Sequence, residues 1–193
     1  MLGQMREPAS GDIEIRPVTP DQHDALMHFF DLVAYADNPD WSRCYCMFPL
    51  LRDYQQKTRD ENRAARSALV RAGEASGLVA YRLGRVVGWC HPAPTTEVVT
   101  IPDPKPDVGA IVCFVVAPDQ RRQGIATALL DGALGYLKER GCREVVAAPL
   151  TAAAADARSA AANYHGPLDM YLRAGFTVGQ EVAPGQVLVR RSL

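Results

Sequence analysis

The sequence lacks three features that would place it in an unusual class of protein. No stretch approaches the roughly 18 consecutive apolar residues of a membrane span. The 21 Lys and Arg residues nearly balance the 22 Asp and Glu residues, so no general attraction to nucleic acid or to an anionic membrane is expected. The five cysteines are an odd number, which argues against a disulfide framework. We therefore expect a soluble, cytoplasmic protein with no nucleic-acid and no membrane partner.

The composition is that of an ordinary globular domain. Hydrophobic residues make up 48% of the 193 residues, which is enough for one core in one domain. Residues 1–11 are polar, contain Pro and Gly, and lack the apolar segment of a signal peptide. We expect them to be a disordered N-terminal tail, followed by a single domain over residues 12–193.

The first half of the chain predicts a hairpin and two helices. Residues 12–20 alternate apolar and polar side chains, which is typical of a short strand. Helical patterns follow at residues 21–35 and 53–77, and the charged side chains of the second are expected on a solvent-facing surface. Residues 78–83 and 86–91 predict two strands joined by a tight turn.

The second half predicts a strand, helix, strand unit. Residues 110–116, "AIVCFVV", are apolar without alternation, which indicates a strand covered on both faces at the centre of a sheet. An apolar stripe from Ile125 to Leu137 predicts the helix, and residues 142–150 predict the next strand. Two strands joined by such a crossover lie parallel.

The last part of the chain contains one ambiguous segment, a short helix and a strand pair. The Ala-rich residues 151–166 fit either a helix or a loop. A short helix is predicted at residues 167–174, followed by a strand pair at 176–182 and 186–193. Together these elements predict a mixed α/β fold with a central sheet.

The junction between the buried strand and its helix is the candidate functional site. A helix start presents unpaired N–H groups and a positive dipole end, and Gly124 lets a ligand approach the backbone. Arg121 and Arg122 add charge-assisted bonds, so a pyrophosphate suits this junction. A P-loop is excluded, because no Lys followed by Ser or Thr comes after the glycine, and a dinucleotide fingerprint is excluded, because the third glycine is missing. A basic helix cap with a packing glycine stays open as the alternative.

The same residues resemble motif A of the GNAT N-acetyltransferase superfamily. Arg121, Gly124 and Ala126 match its pattern of Gln or Arg, two residues, Gly, one residue, and Gly or Ala. Val116 and Pro118 match the valine and proline that precede the motif.

A second motif, "MYLRAGF" at residues 170–176, resembles the closing motif of that superfamily. Residues 41–48, "WSRCYCMF", are similar to a bacterial branch with a Cys-x-Cys segment and no assigned substrate. The resemblance implies the GNAT fold, a mixed sheet of about seven strands flanked by about four helices, and acetyl-CoA as acyl donor.

The resemblance also implies two groups of donor-binding residues. One group lies on the central strand, where the backbone would pair with the pantetheine arm and the acetyl carbonyl: Phe114, Val115 and Val116. The other group would surround the pyrophosphate at the helix start: Arg121, Arg122, Gln123, Gly124, Ile125, Ala126 and Thr127. A backbone N–H directed at the acetyl carbonyl would stabilise the oxyanion formed when an amine attacks.

The resemblance supplies a matching residue for the catalytic acid but none for the base. Tyr171 matches the family tyrosine that assists the departing thiolate, and a core tyrosine is the alternative. The glutamate that serves as base in some relatives is replaced by Ala110. His91, Glu97 and Asp107 lie on segments leading to the central strand and are candidates for deprotonating an ammonium through water.

In this fold the first-helix region walls the acceptor pocket, so Trp41, Tyr45 and Phe48 are expected there. Cys44 and Cys46 are too closely spaced for a zinc motif and have no nearby His, so no metal is expected.

The resulting hypothesis is an N-acetyltransferase that acts on a primary amine of a small molecule or peptide in a ternary complex. The alternative is a non-catalytic acyl-CoA-binding sensor, which the missing base favours. A homodimer is a further expectation.

Overall fold

The computed structural model describes residues 13–156 and 161–193. The predicted tail at residues 1–11 lies outside the described residues. Within the described part of the chain, no helix is both long enough and apolar enough to cross a membrane.

Seven strands form one mixed sheet, as the sequence predicted, in the order β1-β2-β3-β4-β5-β7-β6. The strands are β1 (Glu14–Pro17), β2 (Leu78–Arg82), β3 (Arg85–Pro94), β4 (Val108–Val116), β5 (Glu144–Ala147), β6 (Thr177–Ala183) and β7 (Gln186–Ser192). Neighbouring strands are antiparallel except β4 and β5, which are parallel. The predicted hairpin and the predicted crossover are both confirmed.

Five α-helices flank the sheet in the described residues, one more than the sequence predicted. They are α1 (His23–His28), α2 (Arg59–Arg71), α3 (Ile125–Glu139), α4 (Ala152–Asp156) and α5 (Leu168–Arg173). The additional helix, α4, lies in the Ala-rich segment that fits either a helix or a loop. A π-helical turn at Phe29–Val33 continues α1.

Strand β4 is buried on both faces, as its uninterrupted apolar run predicted. Ile111 and Phe114 belong to the core that α3 and α5 form with one face of the sheet. Cys113 and Val115 belong to a second core, which α1 and α2 form with the other face. The centre of the sheet therefore separates two cores. Because the side chains of β4 are buried in these cores, a ligand that lies between the strands would contact the main chain of β4.

Strands β4 and β5 separate partway along β4. Their pairing begins at Val108 and ends where Ile111 faces Ala147, although β4 continues to Val116. Residues 164–166, which we call the closing segment, contact β4 beyond this point. The separation leaves one half of β4 unpaired with β5, and the closing segment bonds to part of that edge.

Candidate active site

The turn between β4 and α3 has the backbone geometry of an anion site. Gly124 precedes the helix with a φ of 83°, and a Cβ built on it would meet no atom within 4 Å. Arg122 also has a positive φ, 62°. In the first turn of α3 Ile125 is buried, Ala126 is half-buried and Thr127 is exposed. Because the first N–H groups of a helix lack acceptors within it, this exposed end can bind a phosphate.

The side chains at this turn supply positive charge. Arg121 forms an ion pair with Asp37, with Nη1–Oδ2 and Nη2–Oδ1 distances of 2.5 and 3.1 Å. Its guanidinium lowers the pKa of the Asp37 carboxyl. Arg122 is exposed and has no side-chain partner in the described part of the chain, and the Gln123 side chain donates to the Asp119 carbonyl at 3.0 Å. The expected residues therefore converge, but the sequence did not predict that Asp37 engages Arg121.

The closing segment accepts hydrogen bonds from two groups that the family resemblance places near the acyl centre. One is a backbone N–H of the expected donor strand, and the other is the hydroxyl of Tyr171. The N–H of Phe114 donates to the carbonyl of Tyr164 at 2.6 Å. The hydroxyl of Tyr171 donates to the carbonyl of His165 at 2.8 Å. Tyr171 is wholly buried, and burial raises the pKa of its phenol. Two consecutive carbonyls thus accept hydrogen bonds from one N–H of the expected donor strand and from the hydroxyl of the expected acid.

A glycine and a buried imidazole suit the closing segment to the space beside β4. Gly166 has a φ of 81°, and a Cβ built on it would lie 2.9 Å from Cε of Met170 and 3.3 Å from Cδ2 of Phe114. Burial of the His165 imidazole lowers its pKa from 6.5 to about 4, although a hydrogen bond to the Val112 backbone works in the opposite direction. The imidazole is therefore neutral at pH 7.

A cavity of about 590 Å³ lies against β4 on the face of the sheet that α1 and α2 cover. Residues 113–116 of β4, which include Val115 and Val116 of the expected donor strand, line it together with Arg121. Trp41 and Phe48, both expected in the acceptor pocket, also line it. The cavity therefore connects the expected donor strand with the expected acceptor wall.

The prediction that Tyr45 lines this pocket is wrong. Its side chain is wholly buried, and its hydroxyl donates to Oδ1 of Asp31 at 2.5 Å. Burial and the Asp31 carboxylate raise the pKa of the phenol. The ring packs near Phe30, with 5.8 Å between ring centroids, so Tyr45 anchors the loop to α1 instead of facing a substrate.

A buried arginine holds the Cys-x-Cys loop, and the sequence analysis missed it. Tyr45 and Cys46 have positive φ values of 44° and 55°. Arg66 is wholly buried and donates to both of their carbonyls, at 3.0 and 2.6 Å. The prediction that the charges of α2 face solvent is therefore wrong at this position. The spacing of Asn62, Arg66 and Val70, all buried, gave the available signal, because residues four apart share one helix face.

His91 lies beneath the cavity and does not line it. It is wholly buried on β3, with Nδ1 at 3.4 Å from Sγ of Cys46. Burial raises the pKa of the Cys46 thiol, but interactions with Cys113 and His91 outweigh this and lower it. Cys113 itself lines the cavity. His91 and two thiols thus form a buried polar cluster next to the floor of the cavity.

The prediction of Glu97 as a base is wrong on position. Its carboxylate pairs with Arg140 and accepts from Oγ of Ser76 at 3.0 Å. Arg140 follows the C-terminal end of α3, whereas Gly124 precedes the N-terminal end. The 15 residues of α3 separate these ends by about 22 Å. Glu97 therefore belongs to a surface ion pair away from the turn between β4 and α3.

Comparison with known proteins identifies the family. A model of the Acetyltransferase (GNAT) family matches residues 36–176, which is more than half of the chain. The chain belongs to this family. The match covers the β4–α3 turn, the closing segment and the cavity lining except Ala34 and Tyr35. No curated protein matches the sequence.

Solved GNAT structures share the fold at low identity. PaiA N-acetyltransferase from Thermoplasma acidophilum, in complex with coenzyme A, is 14% identical with a TM-score of 0.57, covering 94% of this chain and 99% of its own. The GNAT domain of S. lividans PAT is 19% identical with a TM-score of 0.56, covering 97% and 100%. YncA from Salmonella typhimurium, a putative acetyltransferase with its cofactor acetyl-CoA, is 15% identical with a TM-score of 0.55, covering 94% of both chains. At this identity the likeness establishes the fold.

Proposed function

We propose that this protein transfers the acetyl group of acetyl-CoA to a primary amine of a small molecule or peptide, directly and in a ternary complex. The observation that carries the proposal is the turn before α3. There, an open glycine and two arginines follow a buried strand whose edge is free of its parallel neighbour. Acetyl-CoA supplies an activated thioester, and the protein supplies binding, alignment and hydrogen bonds.

The diphosphate of the donor fits the start of α3. The N–H groups that follow Gly124 would bind its oxygens, and the exposed guanidinium of Arg122 would add a charge-assisted bond. Arg121 would exchange Asp37 for the diphosphate, or bridge the two. A side chain at Gly124 would extend into the same space, which is why an open glycine favours a bound anion.

The acyl centre would use two groups that are now hydrogen-bonded to the closing segment. The N–H of Phe114 would donate to the thioester carbonyl and stabilise its oxyanion, a contribution of about 3 to 4 kcal/mol in comparable sites. The hydroxyl of Tyr171 would protonate the leaving thiolate. Both roles require the carbonyls of Tyr164 and His165 to withdraw. Donor binding would therefore displace the closing segment.

The ammonium of the acceptor must lose a proton, and Ala110 is buried and cannot accept it. The thiol and imidazole of Cys46 and His91 are the titratable pair next to the floor of the cavity. We assign them as the proton acceptor, reached through the thiol of Cys113. His91→Gln should then lower kcat and leave the affinity for acetyl-CoA, measured by calorimetry, unchanged.

The experiment that tests the function combines donor binding with thiol release over a panel of amines. An acetyltransferase binds acetyl-CoA and releases CoA thiol only when an acceptor is present. One observation favours a non-catalytic acyl-CoA sensor as the second candidate, namely the closing segment bonded to both Phe114 and Tyr171. Acetyl-CoA binding without product for any amine would support the sensor, and absence of binding would refute both functions.

A further inference from the structure

The cavity beside β4 has an aromatic wall. Besides Phe114 of β4, the aromatic residues that line it are Tyr35, Trp41, Phe48, Tyr54 and Tyr164. Four of them form a continuous series of ring contacts. The centroid distances are 5.7 Å from Trp41 to Tyr164, 5.3 Å from Tyr164 to Phe48 and 6.0 Å from Phe48 to Tyr54. Rings at this spacing offer both edges and faces to a further aromatic ring.

The charges of the wall differ in whether they are already neutralised. Nη2 of Arg43 donates to the carbonyls of Gln55 and Lys57, at 2.6 and 2.8 Å. Arg121 is paired with Asp37. Asp40 also lines the cavity, is exposed, and has no ion-pair partner among residues 13–156 and 161–193. A hydrogen bond to a neutral carbonyl does not cancel the charge of a guanidinium, so the lining has two charges without an ion-pair partner among the described residues, the cation of Arg43 and the carboxylate of Asp40.

The size of the cavity favours a small acceptor. Its volume of about 590 Å³ lies within the range of about 300 to 1,000 Å³ that is usual for small-molecule pockets. Part of that volume lies against residues 113–116, where the acetyl group would be delivered.

We propose that the cavity binds a small primary amine whose body is an aromatic ring. The ring packs on Trp41, Phe48 and Tyr164, and the unpaired Asp40 attracts the ammonium, whose charge also favours the aromatic faces. This substrate class rests on the proposed acetyl transfer, but amine binding itself does not depend on the donor.

Trp41 provides a direct measurement of this binding. The chain has two tryptophans, of which Trp89 is wholly buried and Trp41 lines the cavity. Phenethylamine, hexylamine and a tetrapeptide with a free N-terminus are titrated into the full chain without donor. The expected result is a saturable change of fluorescence with phenethylamine, with the other two probes at least about tenfold weaker by calorimetry.

Three variants separate the ring contact from the charge. Trp41→Ser should weaken phenethylamine binding about tenfold or more by calorimetry. Trp41→Phe, which keeps a ring, should lose the fluorescence signal but should weaken binding much less. Asp40→Asn should weaken phenethylamine binding, because the ammonium loses its counter-charge. Asp131→Asn is the matched control, because Asp131 is exposed on α3 and does not line the cavity.

Specific results would overturn the inference. Hexylamine or the tetrapeptide binding as tightly as phenethylamine would exclude an aromatic acceptor. Equal effects of Asp40→Asn and Asp131→Asn would exclude the proposed charge. Phenethylamine binding with no acetylation of any amine in the panel would leave this inference standing and refute the proposed transfer, whereas acetylation of only aliphatic amines or peptides would do the reverse.

Discussion

Lowering the pH from 7 to 5 should release the closing segment from β4. His165 is held neutral, because burial lowers its pKa from 6.5 to about 4. A group with a depressed pKa of this kind stabilises the closed state fully above pH 6.5, and the contribution is lost as the pH falls toward 4. Over that whole window the loss is about 3 kcal/mol, and at pH 5 it is about 2 kcal/mol, or roughly 30-fold in the opening equilibrium.

The amide of Phe114 reports this opening, because its N–H is bonded to the carbonyl of Tyr164. Hydrogen exchange of that amide, corrected for the intrinsic effect of pH, should lose protection by about 20-fold between pH 7 and pH 5. In His165→Gln this loss should be absent, since no imidazole titrates. His28→Gln is the control, because His28 is exposed on α1 and its replacement should leave the pH effect unchanged.

One result would refute this reasoning. If the corrected protection of Phe114 is the same at both pH values in the unmodified protein, the His165 imidazole does not hold the closing segment in place. The same conclusion follows if His165→Gln keeps the full pH effect.

Three further outcomes follow from the contacts of the site. Arg66→Leu should lower the free energy of unfolding by about 3 kcal/mol in urea, because two buried carbonyls lose their donor, and the exposed control Arg71→Leu should change it little; equal losses would contradict the role of Arg66. Asp37→Asn should tighten acetyl-CoA binding by calorimetry, since the carboxylate no longer competes for Arg121, and weaker binding would argue against that competition. Tyr171→Phe should reduce kcat more than acetyl-CoA affinity, and unchanged kcat would remove the hydroxyl from the reaction.

The parts of the fold that local sequence determines were predicted well. The apolar run of β4 and the stripe of α3 are each set by consecutive residues, so their burial follows from periodicity alone. The turn between them could also be predicted, because Gly124 and its neighbouring arginines are contiguous in the chain. The donor junction is therefore visible in the sequence.

The acceptor side depends on contacts between distant segments, which one sequence does not reveal. Tyr45 faces Asp31 because the loop bends through left-handed backbone at Tyr45 and Cys46. Glu97 lies at the far end of α3 because β3 continues to Pro94 and carries it past the site. The closing segment could not be predicted, since its position depends on where β4 and β5 part.

Calorimetry of acetyl-CoA binding to Gly124→Glu and Gly141→Glu tests the central claim most directly. Both glycines have a φ of 83° and open space at Cβ, and they lie at opposite ends of α3. The two variants therefore share the backbone strain and the added charge. At about 6 Å and an effective dielectric constant of about 20, the repulsion between a carboxylate and a phosphate charge is about 3 kcal/mol, or roughly 100-fold in affinity. The account predicts that loss for Gly124→Glu and near-normal binding for Gly141→Glu, and equal affinity of the two variants would contradict it.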